Sequence, residues 1–414
     1  MIPLGFIENC MKDNLLESAP LLRIAVCLMA GIVVGDSVSI PVPLFFVFAG
    51  CVVVALLLWR FACLQSVAIG VCCFVLGALL TVNQGRPTRK EYPSGEIRYE
   101  AESRLDRTRL FFLQQRSRLL SHLETQGGGD EAYAVVAAMT LGDKSALTKD
   151  LREVYSVTGA SHVLALSGLH LGIIYALLSL FTVGRRWQVA TQALVIVCIW
   201  AFVFLVGMTI SVVRSATMLT VYSLLSLGHR DKMSLNVLAF AAIVMLMTNP
   251  LSLFDVGFLM SFAAVASILL FFPLFQGFLP QGYLLEHPLV RWGCSMVVVS
   301  LSAQVGVAPL IAYYFGRLST FFLITNFIVI PAVTLILYGS LVVLLVPSLA
   351  YILLYSVSWL NVILGYISRL PGATIEMHPT PLQTVMVYVI IVACYLLIGR
   401  IVPKVGWSPS RKGL

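Results

Sequence analysis

The sequence predicts an all-α, polytopic integral membrane protein of about 12 transmembrane helices, with its N- and C-termini cytoplasmic. Three observations predict it. Of 414 residues, 59% are hydrophobic and 11% charged, whereas a soluble domain carries roughly 25% charged residues; mean hydropathy is +0.95. Apolar runs of about 20 residues, long enough to cross the hydrocarbon as helices, recur from Leu21 to Arg400. Polar residues inside these runs cluster, most densely in Ser161-His162-Val163-Leu164-Ala165-Leu166-Ser167-Gly168-Leu169-His170-Leu171-Gly172. Such residues inside a span are functional candidates, because each must leave water or find a partner in the protein.

Taken in order, residues 1–20 mix Glu8, Lys12, Asp13 and Glu17 with apolar residues and show no small-residue cleavage pattern. They read as an amphipathic helix on the inner membrane face. Spans are expected at 21–36, 42–59, 63–82, 159–181, 188–207, 212–228, 235–248, 256–275, 292–315, 319–342, 348–369 and 382–400. The stretch 319–370 is nearly unbroken, punctuated by Pro331, Gly339, Pro347 and Gly365. Four regions follow: 1–82 with the first three spans, a basic amphipathic extracytoplasmic linker at 83–130, the main transmembrane domain at 131–402, and a basic cytoplasmic tail at 403–414. Cys27, Cys51, Cys72, Cys73, Cys198, Cys294 and Cys394 lie in apolar runs with no CxxC pair or Cys/His ligand spacing. They read as packing residues, and neither a metal nor a cofactor is expected.

Basic residues set the orientation. With the N-terminus inside, Arg60, Arg185, Arg186, Arg230, Lys232, Arg291, Arg400, Lys404, Arg411 and Lys412 fall on the cytoplasmic side, and the short outer connections 37–41, 208–211 and 249–254 hold no Lys or Arg. The segment 83–158 is then outside, although 83–131 carries nine Lys/Arg against eight Asp/Glu. Loops longer than about 60 residues translocate largely regardless of charge. Within it, 98–124 reads as a helix striped by Leu105, Phe112, Leu113, Leu119 and Leu120 and crowded by Arg104, Arg107, Arg109, Arg116 and Arg118. Its two readings are a surface that gathers polyanions and a helix lying on anionic headgroups. The run Gly127-Gly128-Gly129 breaks it, and a second helix starts near Glu131.

Several intramembrane residues can carry chemistry. Arg214, near the outer end of its span, would cost about 2.5–3.5 kcal/mol facing lipid at mid-membrane, so it reads as a phosphate contact, as a structural ion pair with Asp255, or as both. His162 and His170 would lie about 12 Å apart and about 80° around a continuous helix, too far to share a metal ion. They read as separate pore-lining donors or as helix-packing hydrogen bonds. Ser167-Gly168 could start a half-helix whose free N–H groups face an anion, or could simply let helices approach closely. Gln304 and Asn326 are further polar wall candidates.

The run Met139-Thr140-Leu141-Gly142-Asp143-Lys144, followed by Thr158-Gly159-Ala160-Ser161-His162-Val163-Leu164-Ala165-Leu166-Ser167-Gly168-Leu169-His170, resembles the signature of ComEC-type competence proteins. The likeness continues through Ser211-Val212-Val213-Arg214-Ser215-Ala216, Asn249-Pro250, Asp255-Val256-Gly257-Phe258-Leu259-Met260-Ser261-Phe262-Ala263-Ala264, Gln304, Pro309, Tyr314-Phe315-Gly316-Arg317, Asn326 and Pro331, and covers roughly 130–345. Two departures stand out. Only the 83–130 loop occupies the place of the OB-like domain of many relatives, and Asn249-Pro250 replaces a frequent Asp-Pro. The metallo-β-lactamase-like domain that ends many relatives is not expected after Leu414.

The resemblance implies an inner-membrane channel passing single-stranded DNA inward during natural transformation, with His162, Ser167, Gly168, His170, Arg214, Asp255, Gln304 and Asn326 along the DNA path. Its implied surroundings are the lipid bilayer, an outer DNA receptor, an ATP-driven cytoplasmic helicase, a separate nuclease and further copies of the chain. The sequence holds no GxxxxGK[ST] pattern, so the pull must come from a partner, and no catalytic role is expected. Two other readings stay open. A secondary transporter of a smaller anion would need intramembrane carboxylates, of which Asp255 alone is well placed. An enzyme using Ser167 and His170 would need an orienting acid and an oxyanion hole.

Overall fold

The computed structural model describes residues 19–37, 44–84, 104–127, 131–180, 188–226 and 235–401. The expectations for residues 1–18, for the linker at 85–103, for Gly128 and Gly129, and for the basic tail lie outside the described residues. Helices α1 (Pro20–Ser37), α2 (Leu44–Leu57) and α3 (Ala62–Gln84) form the N-terminal unit. The basic helix is α4 (Arg104–Gly127), followed by α5 (Glu131–Leu141) and α6 (Lys149–Val157). Next come α7 (Ser161–Leu164), α8 (Gly168–Leu180), α9 (Gln188–Leu205), α10 (Ile210–Ser226) and α11 (Leu235–Thr248). A 3-10 turn at Pro250–Phe254 leads into α12 (Val256–Gly277), α13 (Gln281–Glu286) and α14 (Pro288–Phe315). The remainder is β1 (Arg317–Ser319), α15 (Phe322–Leu345), α16 (Ala350–Ser368), β2 (Thr374–Glu376) and α17 (Pro381–Ile401).

The protein is all-α and multi-pass, apart from the short β1–β2 pair. Among the described residues, seven helices have the length and hydropathy to cross a membrane: α1, α3, α12, α14, α15, α16 and α17. The other five expected spans correspond to apolar helices of 10–17 residues, at 45–57, 168–180, 189–205, 210–225 and 235–248. The span expected at 159–181 is not one helix. It is α7, a break at 165–167, and α8, so the spacing drawn for His162 and His170 on a continuous helix does not apply.

Small residues decide how closely the helices pack. A Cβ on Gly31 would overlap the Phe74 carbonyl oxygen, and one on Gly77 the Leu28 carbonyl oxygen. Helices α1 and α3 therefore touch backbone to backbone, which is how helices associate where the solvent is itself apolar. In the same way, a Cβ on Gly306 would lie 2.5 Å from the Ser267 Cβ, and Ser267 donates to the Ser302 carbonyl at 2.6 Å, seating α12 on α14.

Helix α5 is apolar all round, a pattern that marks a buried helix; all its residues but Glu131 and Tyr133 are buried. It sits in a core shared with α6, α7, α15 and α16. Helix α4 turns its apolar side to protein: Leu119 and Leu120 pack on that core, Phe112 stacks on Phe204 of α9 at 5.8 Å, and Arg116 approaches Asp143 at 3.9 Å.

Helices α14 and α15 do not form the simple hairpin that consecutive spans imply. Asn326, early in α15, donates to Ser300 at 3.4 Å, and Phe327 meets the Trp292 ring at 5.5 Å. The chain thus turns back along α14 through β1 before α15 starts. Strand β1 pairs antiparallel with β2, placing Arg317 opposite Glu376. Arg317 also donates in bidentate fashion to Glu153 of α6, at 2.5 and 3.2 Å. Gly159, at φ 81°, packs against Ser319 and Phe322 with no room for a Cβ beyond 3.0 Å. This clasp fixes the end of α6 just before the break.

The Arg317 hydrogen bonds hold the Glu153 carboxyl below its usual range despite some opposing burial. A depressed native pKa contributes stability above the unfolded carboxylate value of about 4.3 and loses it as pH falls through the native value. The pair is largely exposed, so the contribution should stay below about 1 kcal/mol. Wild type should melt slightly above Glu153→Gln in detergent at pH 7, and the gap should close at pH 3; a gap independent of pH would assign the effect to packing. Gly31→Ala or Gly77→Ala should each lower stability by about 1–3 kcal/mol through overpacking, read as a lower melting temperature with α-helical content retained.

Candidate polar path

Helix α8 begins inside an apolar run because the chain changes conformation at Ala165, which is extended at φ −101°, ψ 128°. Ser167 then takes the N-cap position, its carbonyl accepting from the His170 N–H at 3.1 Å and the Leu171 N–H at 3.4 Å. His170 occupies the third helical position and reaches back, its Nδ1 accepting from the Ser167 N–H at 3.3 Å and lying 3.2 Å from the Ser167 hydroxyl. This is the back-reaching half of a capping box, with imidazole in the place of Glu or Gln, while the Ser167 hydroxyl meets the ring rather than a backbone N–H. A backbone N–H can only donate, so Nδ1 is the acceptor and the ring proton sits on Nε2. His170 is fully buried, and Nε2 has no partner.

Gly168, the first residue of α8, is exposed, and a Cβ there would lie 3.2 Å from the Ser215 hydroxyl of α10. The glycine keeps the half-helix N-terminus open beside α10. On α10 the next residue back, Arg214, serves a different neighbour. Its Nη1 donates to Asp255 Oδ2 at 2.9 Å and its Nη2 to Ser261 Oγ at 3.3 Å. Asp255 is also the N-cap of α12, its Oδ1 accepting from the Gly257 N–H at 3.2 Å. The side-chain exposures are unequal: 4% for Arg214 and 40% for Asp255. The guanidinium lies against Gly257, where a Cβ would come within 2.8 Å of Nη2.

Of the residues expected to line a path, Ser167, Gly168 and His170 form one group and Arg214 and Asp255 another, the two reaching α10 at the successive residues Ser215 and Arg214. The ion-pair reading of Arg214 and Asp255 is realised, and the half-helix start at Ser167-Gly168 is present. His162 is exposed on α7, its Nδ1 3.0 Å from the Gly159 carbonyl oxygen. Gln304 is half-buried on α14. Asn326 bonds Ser300, and its Oδ1 is buried without a partner; no hydrogen bond joins Gln304 or Asn326 to the cluster. Ser215, Gly257 and Ser261 belong to the cluster, though sequence reasoning did not single them out. Their signal was a small residue beside an unexplained charge. No group of three or more His, Cys, Asp or Glu side chains that could hold a metal occurs among the described residues.

The seat on Gly257 yields a direct expectation. Gly257→Ala should push the guanidinium off α12 and cost about 1–3 kcal/mol of stability, whereas Gly172→Ala, at a site with open space, should cost none. Melting of the two variants in detergent compares them.

The chain is 30% identical over 283 residues to "ComE operon protein 3" of Bacillus subtilis (strain 168), covering 65% of this chain and 35% of that one. It is 25% identical over 230 residues to "Uncharacterized protein YcaI" of Escherichia coli (strain K12), covering 53% and 30%. It is 24% identical over 237 residues to "Recombination protein 2" of Haemophilus influenzae, covering 54% and 29%. The chain thus matches about a third of the length of these relatives. No solved structure matches. The Competence protein family matches residues 139–401, from the end of α5 to the end of α17, and the chain belongs to that family.

Proposed function

We propose that this chain is a channel of the bacterial inner membrane that passes single-stranded DNA into the cytoplasm during natural transformation. The observation that carries the reading is the broken helix. A span interrupted at 165–167 presents a half-helix N-terminus with a bare Gly168, beside a second helix bearing a buried arginine. Irregular backbone at membrane depth is tolerated only where it is enclosed by protein or lines a watery cavity. Half-helix N-termini are the membrane form of an anion site. Phosphodiesters need both donors and cations, and α8 and α10 supply them. His162, Ser167, Gly168, His170, Arg214 and Asp255 flank the strand in this reading, with Gln304 and Asn326 further along the wall.

Family membership supports uptake of DNA as the process. The chain acts as conduit rather than catalyst, and its partners are an outer DNA receptor, an ATP-driven cytoplasmic helicase and a separate nuclease, with further copies of the chain where the path runs between subunits. Helix α4, its apolar side spent on protein contacts, offers its polar side to incoming polyanions. A transporter of a smaller anion is less well supported, because Asp255 is committed to Arg214 and to the cap of α12.

Cytoplasmic uptake of labelled DNA tests the reading in cells with wild-type, His170→Ala or Arg214→Ala protein at matched membrane abundance. Both variants should cut uptake at least tenfold, leaving labelled DNA stalled outside. Unchanged uptake after deletion of the gene would reject DNA passage and bring the smaller-anion reading forward.

A further inference from the structure

The contacts around Arg214 have the form of an anion-binding site that is already occupied. An anion on a protein is usually held by an arginine fork, a hydroxyl and the free N–H groups at a helix N-terminus. All three stand together here: the Arg214 guanidinium, the Ser261 hydroxyl that accepts from it, and the Gly257 N–H at the start of the 22-residue α12. The anion in place is the Asp255 carboxylate, one oxygen on the helix N–H and the other on the guanidinium. The arginine lies against the first turn of α12, is 96% buried as a side chain, and has one donor, Nε, without a partner. Most buried donors in folded proteins are paired, so an idle Nε marks donor capacity the ion pair does not use. Asp255 is the accessible member, so an anion arriving from outside meets the carboxylate before the guanidinium.

We infer that Arg214, Ser261 and the N-terminus of α12 form a phosphodiester site that Asp255 fills in the resting protein and yields to an incoming phosphate. The inference rests on the DNA-channel reading for the source of the phosphate, and the site itself rests on the contacts alone. Asp255 is then a resident competitor. Its negative charge keeps Arg214 neutralised within the membrane until a phosphate replaces it. Gly257 permits the arrangement, since any side chain there would displace the guanidinium.

The test is binding of a fluorescent oligothymidylate to the purified full chain in nanodiscs, followed by anisotropy. Asp255→Asn and Asp255→Ser both keep an N-cap acceptor for the Gly257 N–H while removing the competing charge. Either should bind the oligonucleotide at least tenfold more tightly than wild type in uncharged phosphatidylcholine discs, and Arg214→Gln combined with Asp255→Asn should abolish the gain. Structural damage weakens binding, so the direction of change separates the site from a packing role. A variant that elutes like wild type but binds no more tightly overturns the inference, as does a gain that survives loss of Arg214 or that Glu376→Gln reproduces.

Discs containing phosphatidylglycerol distinguish the two phosphodiesters. A gain retained there assigns the site to the strand. A gain lost there, with lipid headgroup bound in its place, keeps the site but removes DNA as its ligand. The channel reading fails separately, if deleting the gene leaves uptake intact.

Discussion

A bilayer supplies no hydrogen bonds, and every backbone or ionic group placed in it must be satisfied by the protein itself. The architecture around α8, α10 and α12 follows from that constraint. Breaking a helix at 165–167 releases backbone groups that Ser167 and His170 satisfy only in part, through the imidazole that accepts from the Ser167 N–H. Carrying Arg214 into the same region requires Asp255, Ser261 and a glycine without a side chain at 257. Each polar residue there is explained by another polar residue beside it. The group left over at each point, His170 Nε2 and Arg214 Nε, is a donor, as the proposed anion site requires.

The rest of the structure holds this region in position. Close contacts through Gly31, Gly77 and Gly306 replace hydrophobic association as the source of helix pairing. The buried α5 fills the space between α15 and α16, and the Glu153–Arg317 clasp with the β1–β2 pair fixes the chain a few residues before the break. The shorter helices α10 and α11 stand next to the longer α12, and α8 next to α15. A bundle of mixed lengths leaves room for irregular backbone that a uniform bundle would exclude.

The sequence made the membrane class, the places of most apolar helices and the family legible because each rests on local signals: apolar length, charge depletion and motif order. The path from α4 onto Phe204 or from Arg214 to Asp255, 41 residues away, was not local. Charge in an apolar span announced that Arg214 needed a partner and left open a phosphate contact, an ion pair or both; tertiary contact supplies the ion pair. The break before Gly168 was visible as one alternative, since Ser-Gly also serves close packing. The enclosure of α5 could have been inferred from the lack of any polar face between Ala132 and Leu141. The return of the chain along α14 could not, because a three-residue strand leaves no periodic signal.

The coexistence of a buried arginine with a half-exposed aspartate also bears on how a polyanion could pass without the protein leaking small ions. A fixed cation in the path would bind chloride at rest and hold a strand too tightly to release. A cation paired with its own carboxylate presents little net field until a phosphate competes, and each phosphate that leaves can be replaced by Asp255 rather than by water. In the proposed channel the ion pair would lower the difference in energy between the occupied and vacant path, and multi-site passage requires that entry be favourable and departure still easy. On this argument Asp255 matters to release as much as Arg214 matters to entry, and the force that moves the strand need only overcome the exchange of one anion for another.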